Sequence, residues 1–287
     1  PSKTALVTGA TDGIGLTTAK ELAKKGYRVI VHGRDSARIK TACEEVKAVS
    51  QYFPADATIP ALADLSSLEG CKHLVSIVQD TCPTQLDLVI NNAGVFSDGY
   101  GRKVVGEHDL EETFAVNVLA PFVVTSLLLP LLTVKDGTRI IVVSSISQSY
   151  QIEDWDDLQF ERRHYSAHRS YSESKLLDAM LCFEFADRLT AAGFDTSRVT
   201  CNTLDPGTVN TKMLLAGWGA CGIPVKKALD QTWLATSDEV ERVTGQYFVG
   251  RHNRKAASSA YDAGVRSKLW GILSDLAPDA AAIWKQL

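Results

Sequence analysis

The stretch TALVTGATDGIG, from Thr4 to Gly15, predicts the first strand, turn and helix of the fold. TALVT is a short apolar run that ends in glycine, which is typical of a buried strand in a parallel sheet. A helical pattern follows from Ile14 to Lys25, and Gly26 is placed to end that helix as a C-cap. The chain therefore opens with a strand, a glycine-rich turn and a helix.

The remaining sequence repeats this alternation of strand and helix. Further strands are predicted at Tyr27–Val31, Gln51–Pro54, Leu86–Ile90, Arg139–Val143, Val199–Leu204 and Tyr247–Val249. Helices are predicted at Ala37–Val49, Leu62–Val78, Glu107–Leu132 and Arg169–Leu189, with irregularities at Pro121 and Pro130. Such alternation gives a parallel sheet covered on both faces, and no repeat or linker divides it. We expect one doubly wound α/β domain.

Composition excludes several classes of function. The 287 residues are 45% hydrophobic and 22% charged, the balance of an ordinary folded domain. A net charge of −4 argues against a nucleic-acid or acidic-membrane partner. The six cysteines are scattered without a CxxC pair, so we expect reduced, buried thiols and no metal site.

The expected location follows from the apolar segments. No apolar run approaches the roughly 20 residues that a membrane-spanning helix needs. The opening PSKTALVTGA leads directly into a strand and has no signal-peptide pattern. We expect a cytoplasmic protein, or one soluble inside an organelle if a leader has been removed.

The glycine-rich turn is a candidate phosphate site. Gly9, Gly13 and Gly15 are spaced GxxxGxG, which differs from the GxGxxG dinucleotide fingerprint. Glycines at these positions allow a tight turn and let backbone amides approach a pyrophosphate at the start of a helix. The alternative is a tight loop between strand and helix that binds nothing.

The end of the second strand indicates which dinucleotide would bind. An acidic residue there holds the ribose 2′-hydroxyl of NAD, whereas arginine suits the 2′-phosphate of NADP. Arg34 lies at this turn and Arg38 follows one helical turn later, so NADP(H) is favoured over NAD(H). Asp35 is interpreted as the cap of the next helix, with a displaced ribose ligand as the alternative.

A tyrosine–lysine pair is the candidate proton-handling group. Tyr171 and Lys175 in YSESK are four residues apart and share one face of a helix. A free phenol has a pKa of about 10, and a nearby ammonium and the positive nicotinamide ring of an oxidised cofactor are expected to lower it. Tyr150 and Tyr165 have no lysine four residues later, which leaves Tyr171 as the favoured tyrosine.

Several motifs lie at successive strand ends. They are TGxxxGIG, NNAG at Asn91–Gly94, a helical Asn117, VSS ending at Ser145, YxxxK, and PGxxxT from Pro206. In this order they resemble the short-chain dehydrogenase/reductase family over nearly the whole chain. The tail, with TGQYF and SSAYDAGVRSKLW, is most similar to the retinol-dehydrogenase-like branch, which includes the WW-domain oxidoreductases.

The resemblance implies a fold and a set of roles. The fold is a single Rossmann-type domain over residues 1–287, with a parallel seven-stranded sheet in the order 3-2-1-4-5-6-7. Tyr171 would be the acid/base, Lys175 its activator and a ribose ligand, Ser145 the substrate anchor, and Asn117 the fourth catalytic member. The implied cofactor-binding residues are Gly9, Thr11, Asp12, Gly13, Ile14, Gly15, Arg34, Arg38, Asp64, Leu65, Asn91, Ala93, Gly94, Tyr171, Lys175, Pro206, Gly207, Val209 and Thr211.

Three segments have open interpretations. In the insertion over about 147–169, Trp155, Phe160 and His164 either line a substrate pocket or pin a surface loop. The segment 208–228 is a substrate lid, a loop packed on the core, or a membrane-contact segment. Asp64 is either an adenine contact or a helix cap, and Asp205 has no functional interpretation from the sequence.

The expected activity is an NADP(H)-dependent oxidoreductase acting on a hydrophobic carbonyl or alcohol, such as a retinoid, steroid or lipid aldehyde. An NAD(H)-dependent alcohol dehydrogenase of the same fold is one alternative, and an NADP(H)-sensing scaffold protein with little turnover is another. The expected partner is a small hydrophobic substrate, with no nucleic acid and no integral membrane segment. Both a monomer and a homodimer are compatible with the sequence.

Overall fold

A mostly parallel eight-stranded sheet forms the centre of the computed structural model, which describes residues 3–52, 55–97 and 101–287. The strands are β1 (Thr4–Val7), β2 (Arg28–Gly33), β3 (Thr58–Leu62), β4 (Leu88–Asn91), β5 (Thr138–Val143), β6 (Val199–Asp205), β7 (Tyr247–Val249) and β8 (His252–Arg254). Their order is β3-β2-β1-β4-β5-β6-β7-β8. The expected doubly wound fold and the order of its first seven strands are confirmed.

The eighth strand was not predicted. β8 pairs antiparallel with β7, and the two-residue turn Gly250-Arg251 joins them with positive φ at both positions. Two left-handed residues produce the tight hairpin that follows the natural twist of the strands. All three residues of β8 are exposed, so no apolar pattern in the sequence marks this strand.

The third strand lies later in the chain than expected. The prediction placed it at Gln51–Pro54, of which Phe53 and Pro54 lie outside the described residues, and β3 instead runs from Thr58 to Leu62. Pro60 sits inside it, which is tolerated because β3 is an edge strand paired only with β2. The following helix consequently begins at Leu68, with Ser67 as its cap, and not at Leu62.

Helices cover both faces of the sheet. The helices are α1 (Gly13–Lys24), α2 (Ser36–Val49), α3 (Leu68–Thr81), α4 (Glu112–Leu132), α5 (Ala167–Ala191), α6 (Lys212–Gly217), α7 (Asp230–Thr236), α8 (Ala263–Leu276) and α9 (Pro278–Trp284). Helices α3, α4, α5, α8 and α9 pack on one face, and α1, α2 and α7 pack on the other. The carboxyl ends of the parallel strands remain open between these layers, where ligands bind in such sheets.

Helix α4 is shorter than predicted and irregular. Residues Val104–Val105 and Leu110–Glu111 form a small antiparallel pair, so the helix begins at Glu112 and not at Glu107. Its second turn, Ala115–Leu119, is a π-helix, directly before Pro121. Contrary to expectation, α4 is long and apolar enough to span a bilayer by length and composition, but 89% of its most apolar window is buried inside the protein. This helix is a core element of the domain.

Candidate active site

A cavity of about 690 Å³ opens at the carboxyl ends of the parallel strands. This volume lies within the roughly 300–1,000 Å³ typical of ligand sites. Of the residues proposed from the sequence, all but two line the cavity, and the exceptions are Asn91 and Asn117. The lining residues from that set are Gly9, Thr11, Asp12, Gly13, Ile14, Gly15, Arg34, Arg38, Asp64, Leu65, Ala93, Gly94, Ser145, Tyr171, Lys175, Pro206, Gly207, Val209 and Thr211.

The glycine-rich turn forms one end of the cavity. Gly9 and Gly13 have positive φ of 64° and 57°, which L side chains rarely adopt. A Cβ on Gly15 would lie 2.3 Å from the Gly9 carbonyl oxygen, so a side chain cannot fit there. Asp12 caps α1 by accepting a 2.7 Å hydrogen bond from the Gly13 amide. The turn therefore presents bare backbone at a helix start, which suits a pyrophosphate.

His32 holds this turn from beneath, a role that the sequence reasoning missed. The Gly9 amide donates to its Nδ1 at 3.0 Å, and Nε2 lies 3.2 Å from the Ala63 carbonyl oxygen. The ring is therefore neutral, with Nε2 as the donor. Burial lowers the pKa of His32 to about 4, although the hydrogen bond with the Ala63 carbonyl acts in the opposite direction. Its position directly before Gly33-Arg34 at the end of β2 was the available signal.

Three basic side chains lie around the outer end of the glycine turn. The Asp12 carboxylate accepts from Arg38 at 3.1 Å and from Lys212 at 2.7 Å, and the Lys212 hydrogen bond lowers its pKa. Arg34 is exposed and lines the same end of the cavity. Asp35 accepts from the Arg38 amide at 2.9 Å and caps α2, as interpreted from the sequence. The cations available to a 2′-phosphate are therefore Arg34, Arg38 and Lys212.

The two asparagines at the end of β4, Asn91 and Asn92, have different roles. Asn91 is buried and donates to the Thr125 hydroxyl at 2.9 Å, away from the cavity. Asn92 lines the cavity and donates to the Thr8 carbonyl at 2.8 Å, which ties β4 to the glycine turn. Gln231 in turn donates to the Asn92 amide oxygen at 2.9 Å. The proposed cofactor position at Asn91 is therefore occupied by its neighbour Asn92, and Asn91 packs into the protein.

Asp64 does not cap a helix. Its carboxylate accepts from the Ser66 amide at 3.0 Å, while Ser67 caps α3. Asp64 and Leu65 both line the cavity at the side of β3. The helix-cap alternative for Asp64 is thus wrong.

Asn117 lies in the π-turn of α4 and braces the site from behind. Its amide oxygen accepts from the Val95 amide at 2.8 Å. Its amide nitrogen donates to the Val95 carbonyl at 3.2 Å and to the Ser174 hydroxyl at 3.0 Å. A π-turn widens the helix locally and is frequent at functional sites. Asn117 thereby joins the segment after β4 to α5, and none of these three bonds goes to Lys175.

The two serines after β5 face opposite ways. Ser144 is buried, and its hydroxyl donates to the Lys175 carbonyl at 2.5 Å. Ser145 lines the cavity, and its hydroxyl accepts from the Ser147 amide at 3.0 Å. The hydroxyl of Ser145, the second serine of the motif, therefore lies next to Tyr171 in the cavity.

Tyr171 and Lys175 meet beneath the cavity on the first turns of α5. The Lys175 ammonium lies 5.6 Å from the centre of the tyrosine ring, and Tyr171 is only 9% exposed. Burial raises the pKa of Tyr171, although Lys175 and a hydrogen bond with Ser145 lower it. The ammonium acts in the expected direction, but burial outweighs it in the protein without cofactor, so the net shift there is upward.

Asp205 connects the two loops that flank Tyr171. Its carboxylate accepts from the Ile146 amide at 3.0 Å and from the Gly207 amide at 3.2 Å. Ile146 follows Ser145, and Gly207 follows the end of β6, so one buried side chain sets the spacing of both loops. The residue left without interpretation in the sequence is therefore a brace of the site.

The Tyr171 ring packs in a cluster of four aromatic rings with Phe96, His168 and Trp218. Trp218 lies 4.8 Å from Phe96, 5.0 Å from His168 and 5.4 Å from Tyr171, measured between ring centres. Trp218 directly follows α6, and Met213, Leu214 and Cys221 from the same segment line the cavity. Segment 208–228 therefore covers the site, which favours the lid interpretation.

The insertion mostly packs away from the cavity. Its first residue Ser147 lines the site, as does Ile146 directly before it, but Trp155, Phe160 and His164 do not. The Trp155 ring packs against the core beneath Lys268, and Phe160 is buried under Arg163. Of the two interpretations, the structure supports a surface loop pinned by aromatic residues.

The comparisons with known proteins agree with this geometry. The sequence model described as short chain dehydrogenase matches residues 3–217. Human retinol dehydrogenase 14 is 34% identical, covering 94% of this chain and 84% of that protein, and human polyprenol dehydrogenase is 31% identical, covering 94% and 83%. A crystal structure of an uncharacterised protein from Mycobacterium paratuberculosis superimposes with a TM-score of 0.75 at 26% identity, covering 96% and 92% of the two chains.

Proposed function

This chain belongs to the short-chain dehydrogenase family, in its retinol-dehydrogenase-like branch, and we propose that it is an NADP(H)-dependent oxidoreductase acting on a hydrophobic carbonyl or alcohol. The observation that carries the proposal is the shared cavity. The glycine turn lies at one end, and Ser145 and Tyr171 lie at the other, with Lys175 directly below.

The residues present fit a nicotinamide dinucleotide. Gly15 has no room for a side chain, and Gly9 and Gly13 have positive φ, so the backbone of this turn is open to close approach of a pyrophosphate. Arg34 and Arg38 would hold a 2′-phosphate, and Lys175 would hold the nicotinamide ribose. When bound, the cofactor supplies or accepts the hydride at the reacting carbon. The two arginines support the choice of NADP(H) over NAD(H).

The chain itself handles the proton and the substrate oxygen. The Ser145 hydroxyl would donate a hydrogen bond to that oxygen and orient it toward Tyr171. The Tyr171 hydroxyl would give the oxygen its proton in reduction, or remove it in alcohol oxidation. Tyr171 and Lys175 are both largely buried, which limits the access of bulk water to the reacting groups.

The apolar entrance supports a hydrophobic substrate. The Trp218 and Phe96 rings pack next to Tyr171, and Ile146, which lines the cavity, is 66% exposed. Leu215 and Ile223 of the segment 208–228 are also exposed. Exposed apolar side chains grouped around a cavity mark a binding surface. Retinoids, steroid ketones and lipid aldehydes are the proposed classes, and two relatives act by name on retinol and on polyprenol.

A substrate screen tests the proposal. The purified protein is assayed with NADPH and NADH against retinal, steroid ketones, aliphatic aldehydes and quinones, with Tyr171→Phe as the inactive control. We expect NADPH consumption with at least one apolar carbonyl and none in the control. Equal rates in wild type and Tyr171→Phe would refute the assigned mechanism. Binding of NADPH without turnover of any carbonyl or alcohol would favour the scaffold alternative.

A further inference from the structure

A buried carboxylate lies directly behind Lys175. Asp178 is one helical turn further along α5 and is fully buried. Its Oδ2 lies 2.7 Å from the Lys175 ammonium, and its Oδ1 has no hydrogen-bond partner among the described residues. The other contact of the ammonium is the Val143 carbonyl at 3.0 Å. Lys175 is therefore held from behind by one anion and one carbonyl.

This ion pair changes the effect of Lys175 on Tyr171. A lone ammonium near a phenol favours the phenolate, but an adjacent carboxylate cancels most of its field at distances beyond the pair. Both carboxylates near the phenol, Asp178 and Asp205, act to raise the pKa of Tyr171. The site thus contains two anions and one cation around a buried tyrosine.

We propose that Asp178 is a positioning residue that holds the Lys175 ammonium and offsets its charge, so that Tyr171 stays protonated near neutral pH and serves as a proton donor for carbonyl reduction. The inference rests on the proposed function and adds the favoured direction of the reaction. In that direction the carbonyl carbon accepts a hydride from the reduced nicotinamide, and its oxygen takes the phenol proton. The products are the alcohol, the oxidised cofactor and a phenolate, which regains its proton from water.

The other titratable groups near the pair come from three places. Cys182 lies one turn beyond Asp178, and its buried thiol has a raised pKa. Asp205 approaches from the end of β6, and His168 contacts the Trp218 ring that packs on Tyr171. Burial raises the pKa of Asp178 to about 6, while Lys175 lowers it. The carboxylate is therefore charged at and above neutral pH, where its effect on Tyr171 is needed.

The direct test is the titration of Tyr171 in the protein without cofactor. Carbon-13 at Cζ reports phenol ionisation, and the resonance lost in Tyr171→Phe identifies Tyr171 among the eight tyrosines. In Asp178→Asn the unscreened ammonium should lower the midpoint by about one pH unit or more. An unchanged titration curve, or a midpoint moved upward, would overturn the proposal.

Further variants distinguish the loss of the Asp178 charge from a general disturbance of the fold. Asp187→Asn makes the same change on the same helix, where Asp187 pairs with Arg266, and should leave the titration unchanged. Asp178→Glu keeps the charge and should titrate more like wild type than Asp178→Asn does. If Asp178→Asn does not fold, Asp178→Ser removes the same charge and should lower the midpoint as well.

The expected decrease in the Tyr171 pKa of Asp178→Asn also has a kinetic consequence. Carbonyl reduction needs the protonated phenol and is lost as pH rises through its pKa, whereas alcohol oxidation needs the phenolate and appears there. Asp178→Asn should therefore move the alkaline limb of reduction to lower pH and raise oxidation relative to reduction at neutral pH. If the wild type turns over no substrate, the proposed function fails, but the titration still decides the role of Asp178.

Discussion

The two ends of the cavity place their charges in opposite environments. At the glycine turn, Asp12 pairs with Arg38 and Lys212, and the side chains of these two cations are 50% and 83% exposed. At the other end, Lys175 and Asp178 form a pair from which water is excluded. Exposed pairs contribute little and are screened by salt, whereas a buried charge without its partner is strongly destabilising. We expect the outer end to select the cofactor and the inner end to control the proton.

The largest effect is expected at the inner end. Tyr171→Phe removes the proton donor without changing the ring that packs on Phe96 and Trp218. Turnover should fall by roughly 100- to 10,000-fold, the range for a general acid, while NADPH affinity is retained. Steady-state kinetics and fluorescence titration of NADPH measure the two quantities. Tyr150→Phe changes a tyrosine that is 88% exposed and should be neutral; equal losses in both variants would remove Tyr171 from the mechanism.

The next largest effect is expected at His32 under the glycine turn, and it concerns the pH dependence of stability. The unfolded imidazole of His32 takes up a proton below pH 6.5, but the folded ring resists it until about pH 4. The free energy of unfolding therefore decreases as the pH falls from 6.5 to about 4, and His32 accounts for up to about 3 kcal/mol of this decrease. Urea unfolding of wild type and His32→Asn between pH 7 and pH 4 isolates this contribution.

The difference in unfolding free energy between these two proteins should change in favour of His32→Asn as the pH is lowered. The exposed His73 provides the matched variant, since His73→Asn should follow the wild-type curve. A constant difference between wild type and His32→Asn across the window would mean that His32 does not stay neutral under the glycine turn.

A smaller effect is expected at the arginines. Arg34→Ala should weaken the binding of NADPH by about 1.5–3 kcal/mol, which is the range for a hydrogen bond to a charged group. This corresponds to an increase in Kd of roughly 10- to 150-fold. NADH, which lacks the 2′-phosphate, should be nearly unaffected. Isothermal titration with both cofactors gives the comparison, and Arg162→Ala, on the exposed insertion, is the control. Equal losses for NADPH and NADH would contradict the phosphate role.

The smallest effect is expected at Lys212. Its pair with Asp12 is highly exposed, so Lys212→Ala should change the unfolding free energy by no more than about 1 kcal/mol. The difference should shrink further in high salt, unlike any effect of changing Asp178. Thermal unfolding at low and high salt checks this, with Lys226→Ala in the same segment as the control. A large, salt-independent loss would show that the outer pair is not the weak one.

Local sequence patterns were sufficient to predict most of the fold. The alternation of buried strands and amphipathic helices indicated the doubly wound sheet, because each element needs one apolar face or core. β3 was misplaced because Pro60 disguises an edge strand, and β8 was missed because its residues are polar and exposed. These strands depend on pairing with a neighbour, which no local pattern records.

The residues of the candidate site were also predicted in part from local sequence patterns. Gly9, Arg34 and Ser145 could be proposed from the sequence, because each closely follows a strand that ends at the same edge of a parallel sheet. Tyr171 could be proposed because Lys175 follows it one helical turn later. Placing Asn91 in the cavity was the exception, since a one-residue difference at the end of β4 turns its side chain toward Thr125. Position along the chain therefore identifies the segment of the site more reliably than the side chain that enters it.

The order of strand ends and motifs was encoded in local sequence, because it depends on hydrophobic periodicity and on glycine and arginine at particular turns. The environment of each polar group was decided only by the tertiary structure. His32 beneath Gly9, Asp205 between Ile146 and Gly207, and burial around Tyr171 arise from residues brought together across the sheet. Burial and charge act through space, so the upward shift of the Tyr171 pKa was visible only once the chain had folded.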